Sequence, residues 1–174
     1  MKESFGLLGV LLGFVLSQFA TTLQDYWKAK KSKRLIREEI EANLALLPHK
    51  MDLVEQIIHE LASKKVIPGD TVHFMSNSYE LNLHLAYESL SPVQRDVLHV
   101  IYERLKLADV FLANFDSEIQ KHLTSKLVKD PYAMFTIRMN EIKESFQINE
   151  DLMKSYLSDK PIDVFKRLST QNVV

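Results

Sequence analysis

Residues 5–23 carry no charged side chain, and this run restricts the possible folds more than any other feature of the chain. Residues 5–16, FGLLGVLLGFVL, contain no polar side chain at all. As a helix, residues 5–23 extend about 28 Å, which is close to the thickness of a hydrocarbon core. The run therefore predicts a transmembrane anchor over residues 1–25.

Aromatic and basic residues follow the apolar run in the order that a membrane helix requires. Residues 26–37 form a basic juxtamembrane collar with a charge of +6 and no acid. Because cytoplasmic flanks carry excess Lys and Arg, we expect a single-pass protein of the cell (inner) membrane, with its N-terminus outside and its C-terminal domain cytoplasmic. The predicted membrane interface consists of Tyr26, Trp27, Lys28, Lys30, Lys31, Lys33, Arg34 and Arg37.

The charge of the chain also predicts its partners. Each cation near a membrane surface contributes ~1 kcal/mol of attraction to anionic lipid. Residues 38–174, in contrast, hold 15 Lys and Arg against 21 Asp and Glu, a net charge of −6. We therefore expect the collar to contact a lipid bilayer with anionic headgroups, and we expect no nucleic acid, which the acidic body would repel.

Two other interpretations of the apolar run stay open. A secretory signal peptide has an apolar region of similar length, but its charges precede that region, and here Lys2 is offset by Glu3. A buried core helix of a soluble protein fits if only residues 5–16 count. That interpretation assigns no role to the collar.

Small residues recur every fourth position within the predicted anchor. Residues four apart share one face of a helix, and small side chains there let two helix backbones approach closely. This pattern predicts a homo-oligomer that is held together by the anchor. The predicted helix self-association residues are Gly9, Gly13, Ser17 and Thr21.

The rest of the chain, residues 38–174, predicts an all-α cytoplasmic domain. Four glycines and five prolines are few for 174 residues, which favours long helices over a turn-rich sandwich. The first helix is expected to continue from the anchor to Leu47, because Pro48 is the first proline. A second helix is predicted over about 49–65, before the turn signal Pro68-Gly69.

Three further segments complete the predicted domain. A third helix is expected over about 71–90. Its leucines and the lack of a partner strand outweigh a strand-like alternation in 79–87. Ser91-Pro92 and Asp130-Pro131 are start signals for a fourth and a fifth helix. The chain thus predicts a transmembrane helix that continues into an antiparallel bundle of four to five helices.

The fourth and fifth helices have the clearest apolar periodicity. The fifth follows heptad spacing with one polar position, which is typical of a coiled-coil seam. The apolar stripe of the fourth helix is Val93, Val97, Ile101, Leu105, Ala108, Leu112, Phe115 and Ile119. The possible bundle seam on the fifth is Tyr132, Phe135, Met139, Ile142, Phe146, Asn149, Met153 and Tyr156.

The search for chemistry yields no catalytic motif. Cysteine is absent, which excludes disulfides, thiolate metal sites and a cysteine nucleophile. A helical-bundle di-metal site needs Glu-x-x-His, whereas the His/Glu pairs here are four residues apart, the spacing of surface ion pairs. We expect no catalytic residue, metal or cofactor. The pairs are Glu55/His59, His84/Glu88, His99/Glu103 and Glu118/His122.

These observations favour a non-enzymatic, membrane-tethered interaction or scaffold protein. It would self-associate through its anchor and bind a protein partner of unknown identity through its helical domain. A variant is a membrane effector that perturbs the bilayer when it oligomerises. The alternatives are a membrane-anchored sensor or regulator whose bundle binds a small apolar ligand, and a metalloenzyme of the bundle type.

Overall fold

The computed structural model describes residues 2–69, 72–125 and 128–159, with residues 2–11 as helix backbone only. Across this part of the chain the protein is all-helical, as predicted, with four α-helices and no strand. The elements are α1 (Lys2–Ala62), α2 (Asn77–Ala86), a 3-10 turn (Tyr87–Ser89), α3 (Pro92–Ser125) and α4 (Pro131–Leu157).

Helix α1 continues through Pro48, so the predicted boundary between a first helix ending at Leu47 and a second over 49–65 is wrong. A proline inside a helix removes one backbone hydrogen bond and costs ~3 kcal/mol. Pro48 itself is exposed, but the buried face continues on both sides of it. Packing of that face against the other helices outweighs the local cost. The face comprises Ile36, Ile40, Leu47, Val54, Ile57 and Leu61.

The direction of each long helix follows from its side-chain contacts. Arg37, near the start of the packed part of α1, donates to the carbonyl of Leu157 at the end of α4. Lys143 of α4 pairs with Glu55 of α1 at 2.7 Å. Helix α4 therefore runs antiparallel to α1, and its short connection to α3 makes it antiparallel to α3 as well. Helices α1 and α3 consequently run parallel.

A non-helical segment connects α1 to α2 and lies where a four-helix bundle has most of its second helix. We call residues 65–69 and 72–76 the strap. The predicted helix over 71–90 is wrong in its first part, because 72–76 is not helical; it is correct over α2. The strap and α2 descend between α1 and α3, which completes an up-down-up-down arrangement.

Side chains from both neighbouring helices bind the strap backbone. Asn43 of α1 accepts from the Met75 N–H at 2.8 Å and donates to the Met75 carbonyl at 2.7 Å. Asp109 of α3 accepts from the Phe74 N–H at 2.7 Å, and Asp116 accepts from the Gly69 N–H at 2.9 Å. These bonds replace the backbone pairing that a helix would supply, which explains why the strap tolerates an extended path.

A buried ion pair lies where the strap crosses between α1 and α3. The Lys50 ammonium is 3.0 Å from Asp109 Oδ1 and donates to the Val72 carbonyl, and its side chain is fully buried. It also lies 5.1 Å from the centre of the Phe74 ring. One ion pair thus joins α1, the strap and α3.

The predicted starts of the last two helices are confirmed. Ser91 Oγ accepts from the Gln94 N–H at 3.2 Å, and Gln94 Oε1 accepts from the Ser91 N–H at 3.0 Å. This reciprocal pair is a capping box at the start of α3. Asp130 Oδ1 accepts from the Ala133 N–H at 3.1 Å and caps α4. The predicted apolar stripe of α3 is buried except at Val93.

Replacing Gly69 by Ala should destabilise the fold. A Cβ at this position would lie 2.0 Å from the Leu112 carbonyl oxygen, so the strap must move away from α3. We expect a loss of about 1–3 kcal/mol in the free energy of unfolding, measured by urea denaturation and circular dichroism. Gly13→Ala is the control, because its Cβ has open space around it. Equal stability of Gly69→Ala and the wild type would contradict close packing of the strap on α3.

Removing one partner of the buried ion pair should destabilise strongly. We expect Lys50→Met to lose about 3–5 kcal/mol in the free energy of unfolding, because it removes the ammonium that pairs with the buried Asp109 carboxylate. The double variant Lys50→Met/Asp109→Asn should lose less than the sum of the two single changes. Lys154→Met, which breaks the exposed pair with Glu150, should change stability little. If the losses in the free energy of unfolding of the two single variants, measured by urea denaturation, add up to the loss of the double variant, Lys50 and Asp109 are not coupled.

Candidate functional site

The first half of α1 projects from the body of the protein. Residues 12–28 are all exposed, and burial begins at Ser32, whose surface is 3% exposed. Large apolar side chains on this projecting part are open to solvent, with Phe14 65%, Leu16 66% and Phe19 70% exposed. Since other exposed apolar residues of the body are scattered, this projection is the main candidate functional surface.

Helical periodicity divides the projecting part into two faces. Leu12, Leu16, Phe19 and Leu23 follow one side of α1, with the aromatic pair Tyr26 and Trp27 at its end. We call these six residues the apolar face. Gly13, Ser17 and Thr21 lie on the adjoining side of the helix, which they share with the exposed ring of Phe14.

The small-residue side of α1 is open and has its polar groups partly satisfied. Thr21 Oγ1 donates to the Ser17 carbonyl at 3.0 Å. A Cβ built on Gly13 meets no atom within 4 Å. Gly9 belongs to residues 2–11, whose side chains lie outside the described part. The described members of this side are therefore accessible to another helix.

Four cations of the collar are exposed where α1 leaves the body. At about 100° per residue they occupy roughly one half of the helix circumference, next to the apolar face; they are Lys28, Lys30, Lys31 and Arg34. Their local partners are weak ones: Lys28 lies 3.6 Å from Asp25, and Arg34 lies 3.4 Å from Glu38 in an exposed pair. Exposed cations at one level of a helix are suited to contact with anionic headgroups.

The aromatic residues of the predicted interface adjoin these cations. The rings of Tyr26 and Trp27 meet edge-on with centres 6.2 Å apart, and the Lys30 ammonium lies 5.6 Å from the centre of the Trp27 ring. Both aromatic side chains are more than half exposed. The structure therefore brings the aromatic pair and the cations together at one level of α1.

Arg37 has a structural role that the sequence did not indicate. Its guanidinium lies 3.3 Å from the Asp159 carboxylate and 3.7 Å from Glu41, and it donates to the Leu157 carbonyl. It thereby holds the C-terminal end of α4 against α1. Lys33 is half-buried at the edge of the body. These two cations belong to the body more than to the exposed group of four cations.

In the part of the chain that the structure describes, no helix is both long enough and apolar enough to cross a membrane. The predicted anchor covers residues 1–25, of which residue 1 and the side chains of residues 2–11 lie outside that part.

The predicted bundle seam on α4 faces the interior of the protein. Tyr132 and Ile142 are half-buried and pack against the core. The Asn149 amide donates to the Ile101 carbonyl at 3.4 Å, which joins α4 to α3. Burial raises the pKa of Tyr156 to about 12, although the nearby Arg37 opposes the shift. The fully buried members are Phe135, Met139, Phe146, Asn149, Met153 and Tyr156.

Glu39 forms a second buried polar cluster, which sequence reasoning missed. Its carboxylate accepts from the Ser78 N–H at 2.6 Å and the Tyr79 N–H at 3.0 Å, at the start of α2. It also accepts from the Tyr102 hydroxyl at 2.7 Å. Burial, followed by this hydrogen bond, raises the pKa of Tyr102, and the Tyr102 ring stacks on Tyr79 with centres 4.0 Å apart.

This cluster is a structural cap. Three donors surround the carboxylate of Glu39, and a negative charge at the N-terminus of α2 is favourable to the helix dipole. The sequence did contain one indication of this cluster. Glu39 lies on the same face of α1 as Ile36, Ile40 and Asn43, which are buried. No group of three or more potential metal ligands occurs among the described residues.

Grooves lie on both flanks of α3. One, of about 480 Å³, lies between α3 and α4 and is lined by apolar side chains that include Val110, Phe111 and Met134. The other, of about 380 Å³, lies between α3 and the strap, and Phe74, Tyr79 and Lys106 are among its lining. Both are surface grooves that a ligand or a second protein chain can enter.

Comparison with protein-family models, curated proteins and solved structures finds no match to this chain.

Proposed function

We propose that this protein is a non-enzymatic, membrane-tethered interaction protein. Its N-terminal helix would enter the bilayer and pair with other copies. Its helical body would bind a protein partner. The single observation that carries the proposal is the apolar face of α1, which projects from the body with no cover from the described residues. Large exposed apolar surfaces of this kind mark contact sites for membranes or proteins.

The order of features along α1 supports a membrane over a protein as the first contact. The apolar face ends in Tyr26 and Trp27, and the exposed cations Lys28, Lys30, Lys31 and Arg34 come next. Apolar, aromatic and basic residues in this order match the depth profile of a bilayer. The cations favour the side with anionic headgroups. The proposed location is the cell (inner) membrane, with the body on the cytoplasmic side.

Continuity of α1 supports a mechanical link between membrane and body. One helix extends from residue 2 to Ala62, so the projecting half has no hinge loop at the body. Ser32 donates to Asn82 Oδ1 at 3.3 Å where α1 enters the body, next to the start of burial. A change in how anchors associate would therefore reorient the bodies, and this geometry suits a scaffold or an effector.

The buried charged groups support a non-enzymatic assignment. Glu39, Lys50 and Asp109 are engaged in binding the strap and the start of α2. Each holds backbone or a partner side chain in the interior, where such groups are costly unless paired. Their role in the fold accounts for their burial without substrate chemistry.

Charging the apolar face should abolish membrane binding. We expect Leu16→Asp/Phe19→Asp in the full chain to reduce flotation with phosphatidylcholine and phosphatidylserine vesicles by about 100-fold or more, because each charge costs ~3 kcal/mol at the centre of a membrane helix. The control is Leu81→Asp/Ile137→Asp, which charges two equally exposed apolar residues of the body, 70% and 62% exposed.

Flotation of the Leu16→Asp/Phe19→Asp variant at the wild-type level, after a high-salt wash, would refute insertion of α1. Loss of flotation in the Leu81→Asp/Ile137→Asp control as well would place the membrane contact on the body instead.

A β-branched side chain at Gly13 should weaken association between anchors. Packing, more than apolar burial, holds helices together in lipid, so losing close approach should reduce dimerisation about tenfold in Gly13→Ile. None of the described residues has an atom within 4 Å of a Cβ at this position, so the change tests contacts between copies. The measurement is energy transfer between labelled full-length chains in vesicles. Leu12→Ile on the apolar face is the control, and equal signals from all three proteins would show that the small residues are incidental.

A further inference from the structure

The connection between α2 and α3 carries exposed apolar side chains on a packed support. We call residues 85–95 the corner; it comprises the end of α2, the 3-10 turn and the first turn of α3. Ala86 and Leu90 within it are buried, so the backbone of the corner is fixed against the body. Exposed apolar residues are spread over the body, but three belong to this short segment. They are Leu85, Tyr87 and Val93, which are 41%, 50% and 39% exposed.

The contacts of α2 with α1 show the level at which the corner begins. Glu39 accepts from the Ser78 N–H at the start of α2, and Ser32 donates to Asn82 one turn later. Helix α2 therefore runs antiparallel to α1, toward the projecting part. Ala86 lies four residues beyond Asn82, which is about 6 Å further in the same direction. The end of α2 is thus level with the region of Lys28 on α1.

The contacts of α3 with α1 give the same level for the end of the corner. Tyr102 of α3 donates to Glu39 of α1 at 2.7 Å, and α3 runs parallel to α1. Arg95 precedes Tyr102 by seven residues, as Ser32 precedes Glu39. Both ends of the corner therefore lie beside residues 28–32, which include three of the four exposed cations of the collar.

The corner reaches closer to the projecting part of α1 than the end of α4 does. Helix α4 also ends on this side of the body, where Arg37 donates to the Leu157 carbonyl. Arg37 lies about 8 Å along α1 from Ser32, on the side away from the projection. Asp159, the partner of Arg37, is therefore set back from the level of the corner.

The composition of the corner is typical of a membrane–water interface. The Arg95 guanidinium lies 3.9 Å from the centre of the Tyr87 ring, a pairing of cation and aromatic ring like that of Lys30 with Trp27. Arg95 Nε also donates to the Leu90 carbonyl at 3.2 Å, which holds it in place. Tyrosine has an apolar ring and a polar tip, and it is enriched where a protein meets headgroups.

Electrostatic attraction to the bilayer comes from α1 and not from the corner. Glu88 and Asp96 are exposed and offset the charge of Arg95. The exposed cations of the collar lie at the same level, and cations near a membrane surface attract anionic lipid. The collar therefore supplies the attraction, and the corner supplies apolar and aromatic side chains.

We infer that the corner is a second membrane contact, which rests on the headgroup region of the bilayer that α1 enters. The inference rests on the proposed function. The headgroup layer is about 5–8 Å thick on each side of the hydrocarbon core, and residues 28–32 extend about 6 Å along α1. A bilayer whose core ends at Trp27 therefore reaches the corner. Two contacts on one continuous body determine its angle to the bilayer, whereas a single helix leaves that angle free.

Quenching of a fluorescent probe by headgroup-labelled lipid tests the contact. The chain has no cysteine, so Ser89→Cys in the corner introduces a single thiol for a bimane label. The full chain is placed in phosphatidylcholine and phosphatidylserine vesicles that contain a lipid with a nitroxide headgroup. The probe should be quenched about as strongly as one at Lys31→Cys on α1. Ser117→Cys, exposed and about 33 Å along α3 from Arg95, is the control and should not be quenched.

Removing the apolar side chains of the corner tests their part in the contact. Leu85→Ser/Tyr87→Ser/Val93→Ser in the Ser89→Cys background should reduce quenching by about threefold or more, because binding at an interface scales with buried apolar area. All three positions are exposed, so the helical circular dichroism should stay unchanged. The matched control is Leu107→Ser/Val110→Ser, which removes two exposed apolar side chains elsewhere on α3 and should leave quenching at residue 89 unchanged.

Flotation after a high-salt wash separates failure of this inference from failure of the proposed function. Flotation with strong quenching at residue 89, lost in the triple variant while flotation persists, supports the second contact. Flotation with no more quenching at residue 89 than at residue 117 would overturn the corner contact and leave insertion of α1 intact. Equal quenching in the triple variant and its parent would also overturn it. Loss of flotation in the wild type would refute both.

Discussion

Lys50 and Asp109 pair in the interior at the point where α1, the strap and α3 meet, and the rest of the body is arranged around them. Burying two charges is costly, and the cost is offset only if both are paired and their remaining hydrogen-bonding groups are satisfied. Here the Phe74 N–H and the Val72 carbonyl complete the set. The pair therefore specifies a position for the strap, and the strap in turn fills the space between two parallel helices that would otherwise be separated.

Helix α1 joins the two halves of the molecule without a break. In its packed half it supplies the apolar face, the Glu39 cap and the Lys50 ion pair. In its projecting half it carries exposed apolar residues and four exposed cations. Because the same helix does both, forces on the projecting half reach the body through a continuous backbone.

The signals that predicted the fold well were local. The starts of α3 and α4 follow from Ser91-Pro92 and Asp130-Pro131, because a capping side chain and a proline act within one turn of helix. The buried stripe of α3 follows from its spacing. The signals that failed depended on distant partners. Pro48 does not end α1, because a packed face on both sides outweighs one lost hydrogen bond. Residues 72–76 do not form a first part of α2, because Asn43 of α1 and Asp109 of α3 bind their backbone.

The sequence by itself determined that the chain is helical, where its last two long helices begin, and the order of apolar, aromatic and basic residues along α1. These properties depend on neighbours within a few positions, so the linear pattern is sufficient. Only the tertiary structure decided that Arg37 of the collar holds the end of α4, that Glu39 is buried at the start of α2, and that Lys50 pairs with Asp109 in the interior. It also decided that Leu107 and Val110 of α3 stay exposed while the seam of α4 is covered. Each of these outcomes depends on contacts between residues far apart in the chain, and a charged residue has the same appearance in sequence whether its partner is water or a distant side chain.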